Sequence, residues 1–315
     1  MRQTITISKN TLLLPYILSF LLLGVALCDM LFFDGFLLSI LPVTATGLFL
    51  YYIFFEFPHI IASFFMFLEK EYRSAYKVAV YKKLLTLVVL GIILLVTHEA
   101  FFYSAVIIYT LYHVVRQQFG VSKFYGTSEG YLLNGLLVSS VAVGSIAFFS
   151  TIVPINGTVL QSTSIVGLLG VLIFILFGKE SRRNLYLLFF MLSFACSAFL
   201  FGMGYILLGL LSIRIVHDIT AFIFYGVHNH NRKKDGHNIL FNLPLLKTVS
   251  PLILTVVFAL TINLFYIYLV SLFRDTISAA FMLTAIYYIV SVMHYFTESK
   301  VWKRGSLARN YIHIT

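Results

Sequence analysis

The sequence predicts an all-α fold: a polytopic transmembrane helical bundle of about ten spans, with the N- and C-termini cytoplasmic. Three observations carry the prediction. Of 315 residues, 60% are apolar and only 11% are charged, a balance that a water-soluble domain of this length does not reach. The apolar residues gather in separate runs, each close to the ~20 that a helix needs to cross ~30 Å of hydrocarbon. The basic residues lie between these runs. Lipid offers no partner to backbone polar groups, so the runs must be helices. Their continuous apolarity, without alternation, argues against a β-barrel.

The elements follow in order. Arg2 and Lys9 precede the first span, 11–28. It has the look of a signal peptide, but Val25-Ala26-Leu27-Cys28 supplies no small-x-small cleavage site, so a retained span is expected. The second, 36–58, contains Pro42 and Pro58, and the stretch from His59 to Glu69 is expected to continue it with a kink or to lie at the inner interface. Then come 82–98, 100–116, 131–153, 159–178 and 185–202. The last three are 205–228, 248–271 and 277–296. The stretch from Leu185 to His228 is long enough for two crossings, and residues 1–315 read as one membrane domain.

Charge tests this topology. With the N-terminus inside, every one of the 22 Lys and Arg residues except Arg214 and Arg274 falls on the cytoplasmic side, as the positive-inside rule requires. The net charge of +10 is therefore dispersed over loops. Membrane lipids and a hydrophobic small molecule are the expected partners, with no nucleic acid. Cys28 and Cys196 form no metal-type pair and predict no disulfide.

The same topology sorts the histidines. His59, His113, His228, His230 and His294 map to the inner ends of the second, fourth, eighth and tenth spans. Imidazole is the commonest metal ligand, and bundles build metal sites from facing helices. Carboxylates and amides accompany these rings at helical spacing: Glu56 three residues before His59, Glu298 four after His294, Gln117 four after His113 and next to Arg116. Glu56 and Glu298 are candidate carboxylate ligands, with Arg116 and Gln117 as supporting groups around the metal. Against this stands the ordinary comfort of histidine at membrane interfaces.

A deeper group, Arg214, His217 and Asp218, lies in the middle of the eighth span. Intramembrane charge faces the bundle interior and is paired, and Arg214 and Asp218 are four residues apart. Arg214 and Asp218 read as a structural ion pair, or else His217 and Asp218 line a substrate cavity or supply a deep metal ligand. His217 lies ~16 Å along the helix from His228, so one metal ion cannot take both. Either His217 or the His228/His230 pair belongs to the main site, or there are two sites.

The Phe57-Pro58-His59 sequence, with His113, His217, His228 and His294 scattered through later spans, resembles the bacterial retinal-forming β-carotene dioxygenases. The resemblance implies a polytopic protein of the bacterial inner membrane with a histidine-held non-haem iron. This chain departs from the family's Pro-His-Gly motif, having Ile60-Ile61-Ala62 after the histidine. His228-Asn229-His230 is also far sparser than the histidine boxes of membrane desaturases.

The expected function is a membrane metalloenzyme, a non-haem iron oxygenase or desaturase acting on a lipid or isoprenoid. Histidine and carboxylate ligands suit one or two iron ions and leave positions open; zinc is the alternative. A transporter using Arg214, His217 and Asp218 near the midplane is the competing reading, and a haem-binding electron carrier the third.

Overall fold

The computed structural model describes residues 4–41, 56–97, 99–126, 131–149, 156–177, 184–234, 251–272, 277–303 and 305–315. His98, His237, Arg274, Pro42 and most of the second expected span lie outside them. The described chain is helical: α1 (Lys9–Phe32), α2 (Phe36–Ile40), α3 (Phe57–Phe65), α4 (Lys70–Thr97) and α5 (Glu99–Ser122). Then follow α6 (Tyr131–Phe149), α7 (Gly157–Phe177), α8 (Leu185–Gly202), α9 (Ile206–Lys234), α10 (Pro251–Leu272) and α11 (Ile277–Val301). Among the described residues, four helical stretches, Lys9–Phe32, Gly157–Phe177, Leu185–Gly202 and Ile206–Arg232, are long and apolar enough to cross a membrane. Shorter apolar stretches are Asn134–Ala147 and Ile253–Leu269.

Two boundaries differ from the sequence expectation. Helix α4 begins at Lys70, twelve residues before the expected span. Residues 70–83 hold no Gly or Pro and consist largely of good helix formers, so the helix extends beyond the part that is apolar enough for lipid. The stretch after Pro58 is a buried helix: Phe57, His59, Ile60, Ile61 and Ser63 are all buried in α3. Pro58 sits in its first turn, where the missing N–H costs nothing. Ile60 and Ile61 form an apolar contact group with Phe57 and with Ala259 of α10, and a 3₁₀ turn, Met66–Leu68, ends the segment.

The helices pack through small residues and short polar side chains, which let backbones approach where lipid offers no hydrophobic drive between helices. Ser193 of α8 donates to Ser19 Oγ of α1 at 2.8 Å, and Ser19 donates in turn to the Ser212 carbonyl of α9. Ser197 of α8 donates to the Gly209 carbonyl at 2.7 Å. Gln118 of α5 takes the hydroxyls of both Tyr16 and Tyr186. Around these lies the main apolar core, including Leu12, Phe119, Leu187, Phe190, Met191 and Val216. The outward face of α7 leaves Ile165, Val166, Leu169, Leu172 and Ile173 exposed, the pattern of a surface made for hydrocarbon.

Helix ends are closed by specific groups. Ser8 caps α1 by accepting from Thr11 N at 3.1 Å. Gly35, at φ +73°, turns the chain after α1. Asp29 then accepts from the Leu37 and Leu38 amides of α2 and from the Tyr205 hydroxyl. The two ends of the chain meet: Ile7 N donates to the His313 carbonyl at 2.8 Å and Thr315 N to the Ile7 carbonyl at 3.0 Å. Asn231 of α9 accepts from Ile5 N at 2.8 Å and donates to the Ile5 and Tyr311 carbonyls.

Candidate metal centre

Four buried histidines from four helices meet inside the bundle: His59 of α3, His113 of α5, His217 of α9 and His294 of α11. His59 is central. Its ring centroid lies 4.4 Å from that of His294 and 5.0 Å from that of His217, and His113 lies 5.0 Å from His217 and 5.6 Å from His294. Two carboxylates complete the cluster. Asp218 Oδ1 stands 2.8 Å from His59 Nδ1 and 3.8 Å from His217 Nε2. Glu298 Oε2 stands 3.2 Å from His113 Nε2 and 3.9 Å from His294 Nε2.

Four of these groups, His217, His294, Glu298 and His113, have a further contact on their outer side. His217 Nδ1 bonds Gln117 Oε1 at 2.8 Å, and His294 Nδ1 bonds Ser63 Oγ at 2.7 Å. Both rings therefore turn Nε2 inward. The Tyr225 hydroxyl donates to Glu298 Oε1 at 2.7 Å, leaving Oε2 for the centre. The Tyr295 ring stacks on His113 with centroids 4.3 Å apart. Partners of this kind fix tautomer and direction in metal-binding histidines.

What the inward atoms lack is equally informative. His59 Nδ1, His113 Nε2 and Glu298 Oε2 are buried without a hydrogen bond. Asp218 and Glu298 stand close to these nitrogens, yet not aligned for a hydrogen bond. Buried polar atoms are almost always satisfied, so orphans of this kind call for an explanation such as an ion. His59, His294 and Glu298 each offer an atom within 4.8 Å of the others, and so do His59, His217 and Asp218. Around one metal ion with ~2.1 Å bonds, neighbouring ligand atoms lie about 3 Å apart. For His59, His294 and Glu298, the Nε2–Nε2 separation of 2.7 Å and the His294 Nε2–Glu298 Oε2 separation of 3.9 Å bracket that spacing, while Asp218 stands against the other ring nitrogen of His59, Nδ1, which points away from the same ion. The donor set fits a metal ion.

No family model, curated protein or solved structure matches the chain. The centre therefore has to be read from its own chemistry.

The remaining candidates fall into place around it. Of the two arrangements offered by the sequence, His217 joins His59, His113 and His294, while His228 lies elsewhere on the same helix. His228 Nε2 bonds the Tyr72 hydroxyl at 2.7 Å, and the ring packs edge-on to Trp302 and Tyr311. His230 is exposed. Burial pushes the Tyr72 hydroxyl above its usual range. One turn on, Arg232 binds Glu69 at 2.5 Å and Glu71 at 2.6 Å and lies over the Tyr72 and Tyr311 rings. This is a structural knot where α4, α9 and the C-terminal segment meet.

Glu56 does not face the histidines: it is ion-paired with Arg214, both side chains buried. Arg116 is partly buried beside Gln117. Gln117, expected to orient His113 from its own helix, reaches across to His217 instead, because the ring one turn away on α9 is the one whose Nδ1 points at it. Ser63, Tyr225 and Tyr295 were not singled out by sequence. Ser63 had a signal, lying four residues after His59; Tyr225 and Tyr295 are lost among 20 tyrosines.

Beside the cluster is a cavity between α5, α6, α8, α9 and α11, partly open and enclosing about 50 Å3. Its walls are mainly apolar, including Val106, Leu111, Phe194 and Leu210. Glu56, Arg214 and Tyr295 also line it, so it shares side chains and neighbouring turns with the histidine centre.

Proposed function

We propose that the chain is an integral-membrane metalloenzyme, a non-haem iron oxygenase or desaturase acting on a lipid or isoprenoid. The observation that carries this reading is the inward convergence of His59, His113, His217 and His294 with Glu298 and Asp218, the outer nitrogens of His217 and His294 being tied to Gln117 and Ser63. An all-nitrogen-and-oxygen donor set suits iron(II), which supplies dioxygen chemistry when bound; zinc would use the same ligands. Tyr225 holds Glu298 in place, Tyr295 packs the His113 ring, and the neighbouring apolar cavity excludes water and admits a hydrophobic molecule. A carrier needs Arg214, His217 and Asp218 as a site of its own. Here His217 and Asp218 stand against His59 while Arg214 is bound to Glu56, which favours one centre and an enzyme.

We place the protein across the membrane ten times with both termini inside. The pairing of Ile7 with Ile314 supports this reading, because ends that hydrogen-bond to each other share a side and require an even number of crossings. The test is metal stoichiometry of protein purified in detergent and reconstituted with Fe(II) or Zn(II), wild type beside His113→Ala and His294→Ala. Near-stoichiometric metal that falls in both variants, with thermal unfolding still cooperative, is the expected result. A folded wild type that takes up neither metal overturns the proposal.

A further inference from the structure

Among its described lining residues, the cavity beside the histidine centre has a hydroxyl with nothing to bind. Ser140 Oγ, on α6, is 2% exposed and makes no hydrogen bond, yet it lines the cavity. Its neighbours behave differently: Ser139 donates to the Leu136 carbonyl and Ser145 to the Val141 carbonyl, back along their own helix. Elsewhere in the cavity wall, Thr110 is satisfied by the Val106 carbonyl and Ser197 by that of Gly209. A buried hydroxyl without a partner costs about 1–3 kcal/mol, and that cost is recovered when a ligand supplies the partner.

The charge of the cavity narrows the ligand further. Its one cation, Arg214, is already neutralised by Glu56. A carboxylate or phosphate entering here would meet a buried acid next to the arginine and would have to displace it, and uncompensated charge in such surroundings is strongly disfavoured. A hydroxyl or carbonyl meets no such obstacle. We infer that this cavity receives the end of a neutral apolar molecule bearing one hydroxyl or carbonyl, with Ser140 as its hydrogen-bond partner and the ion pair excluding acids. With about 50 Å3 enclosed, it holds the polar-tipped end, and the rest of the molecule extends out through the open side. This deepens the enzyme reading by naming the substrate class, and it rests on that reading only for the link to catalysis.

The test uses the full-length protein in detergent, stripped of metal by chelator, so that binding is measured apart from the histidine centre. The probes are parinaryl alcohol and parinaric acid, one fluorescent polyene chain ending in a hydroxyl or in a carboxylate, titrated at a pH where the acid is ionised. The alcohol is expected to bind at least tenfold tighter than the acid. Ser140→Ala weakens the alcohol about fivefold, the scale of one lost hydrogen bond, and Ser140→Thr restores it; neither changes the acid. Equal binding of the two probes, or tighter binding of the acid, overturns the inference. So does an alcohol affinity unchanged in a cooperatively unfolding Ser140→Ala. Alcohol selectivity in a protein that takes up no metal sustains the cavity assignment while the metalloenzyme reading falls, and His294→Ala separates the two by losing metal with alcohol binding intact.

Discussion

Replacing Arg214 by Met leaves the Glu56 carboxylate buried with its counter-charge gone. Both side chains are only 8% exposed, so the pair lies outside the regime of surface ion pairs, which are worth about 0–1 kcal/mol. Breaking a buried pair costs about 3–5 kcal/mol, because the remaining charge is neither solvated nor matched. Replacing both partners by apolar residues of similar volume is close to neutral, or stabilising, for the same reason. Thermal unfolding of the purified protein in one fixed detergent should therefore show Arg214→Met and Glu56→Leu each melting well below wild type, with the double variant recovering most of the loss. The coupling between the two substitutions should reach several kcal/mol, far above the few tenths seen for independent sites. The pair joins the residue before α3 to the first third of α9, three residues from His59 and His217, so the single variants should also bind less metal. Additive losses, or single variants that melt like wild type, would refute the argument that this contact is desolvated and mutually dependent.

Three further outcomes are expected. Tyr225→Phe removes the hydroxyl that donates to Glu298, and chelator competition should show metal affinity falling about tenfold, with no change counting against Glu298 as an oriented ligand. Gly209→Ala would set its Cβ 2.7 Å from Phe201 Cε1 and 3.1 Å from the Ser197 carbonyl oxygen, a backbone atom, and should lower stability by about 1–3 kcal/mol; Gly24→Ala, with nothing within 4 Å of its Cβ, should be neutral or gain up to about 1 kcal/mol. Tyr125, which donates to the Lys9 carbonyl at 2.6 Å, is pushed by burial from 10.0 up to about 12. Raised in the fold, it contributes stability that is complete below pH 10.0 and lost as pH rises through about 12, so Tyr125→Phe should flatten the alkaline limb of a melting-temperature profile.

The membrane helices were legible because lipid imposes one simple rule on composition, and the histidines because imidazole is conspicuous in apolar sequence. Helical spacing identified Glu298 correctly as a companion of His294, since both sit on one face of α11. Spacing misled where partners come from another helix. Arg214 was read against Asp218, its neighbour one turn on, while the structure sets Glu56 against Arg214 and His59 against Asp218. Gln117 likewise serves His217 of α9. The choice between His217 and His228 could not be made from sequence, because the two lie on one face of α9 and differ only in depth. Depth is fixed by where α3 and α11 cross α9, and that is a property of packing.

The clasp between the chain ends has a consequence for assembly. Residues 311–315 leave the ribosome only after every helix before them has been made, and their partners, Ile7, Lys9 and Asn231, must wait for them. The joint pairs residues about 300 positions apart, a slow kind of contact to find. It therefore engages only after α1 to α11 have been made. An obstruction at residues 311–315 should delay completion while leaving the histidine centre chemically intact, so a chain stalled there would hold its ligands before it held its ends.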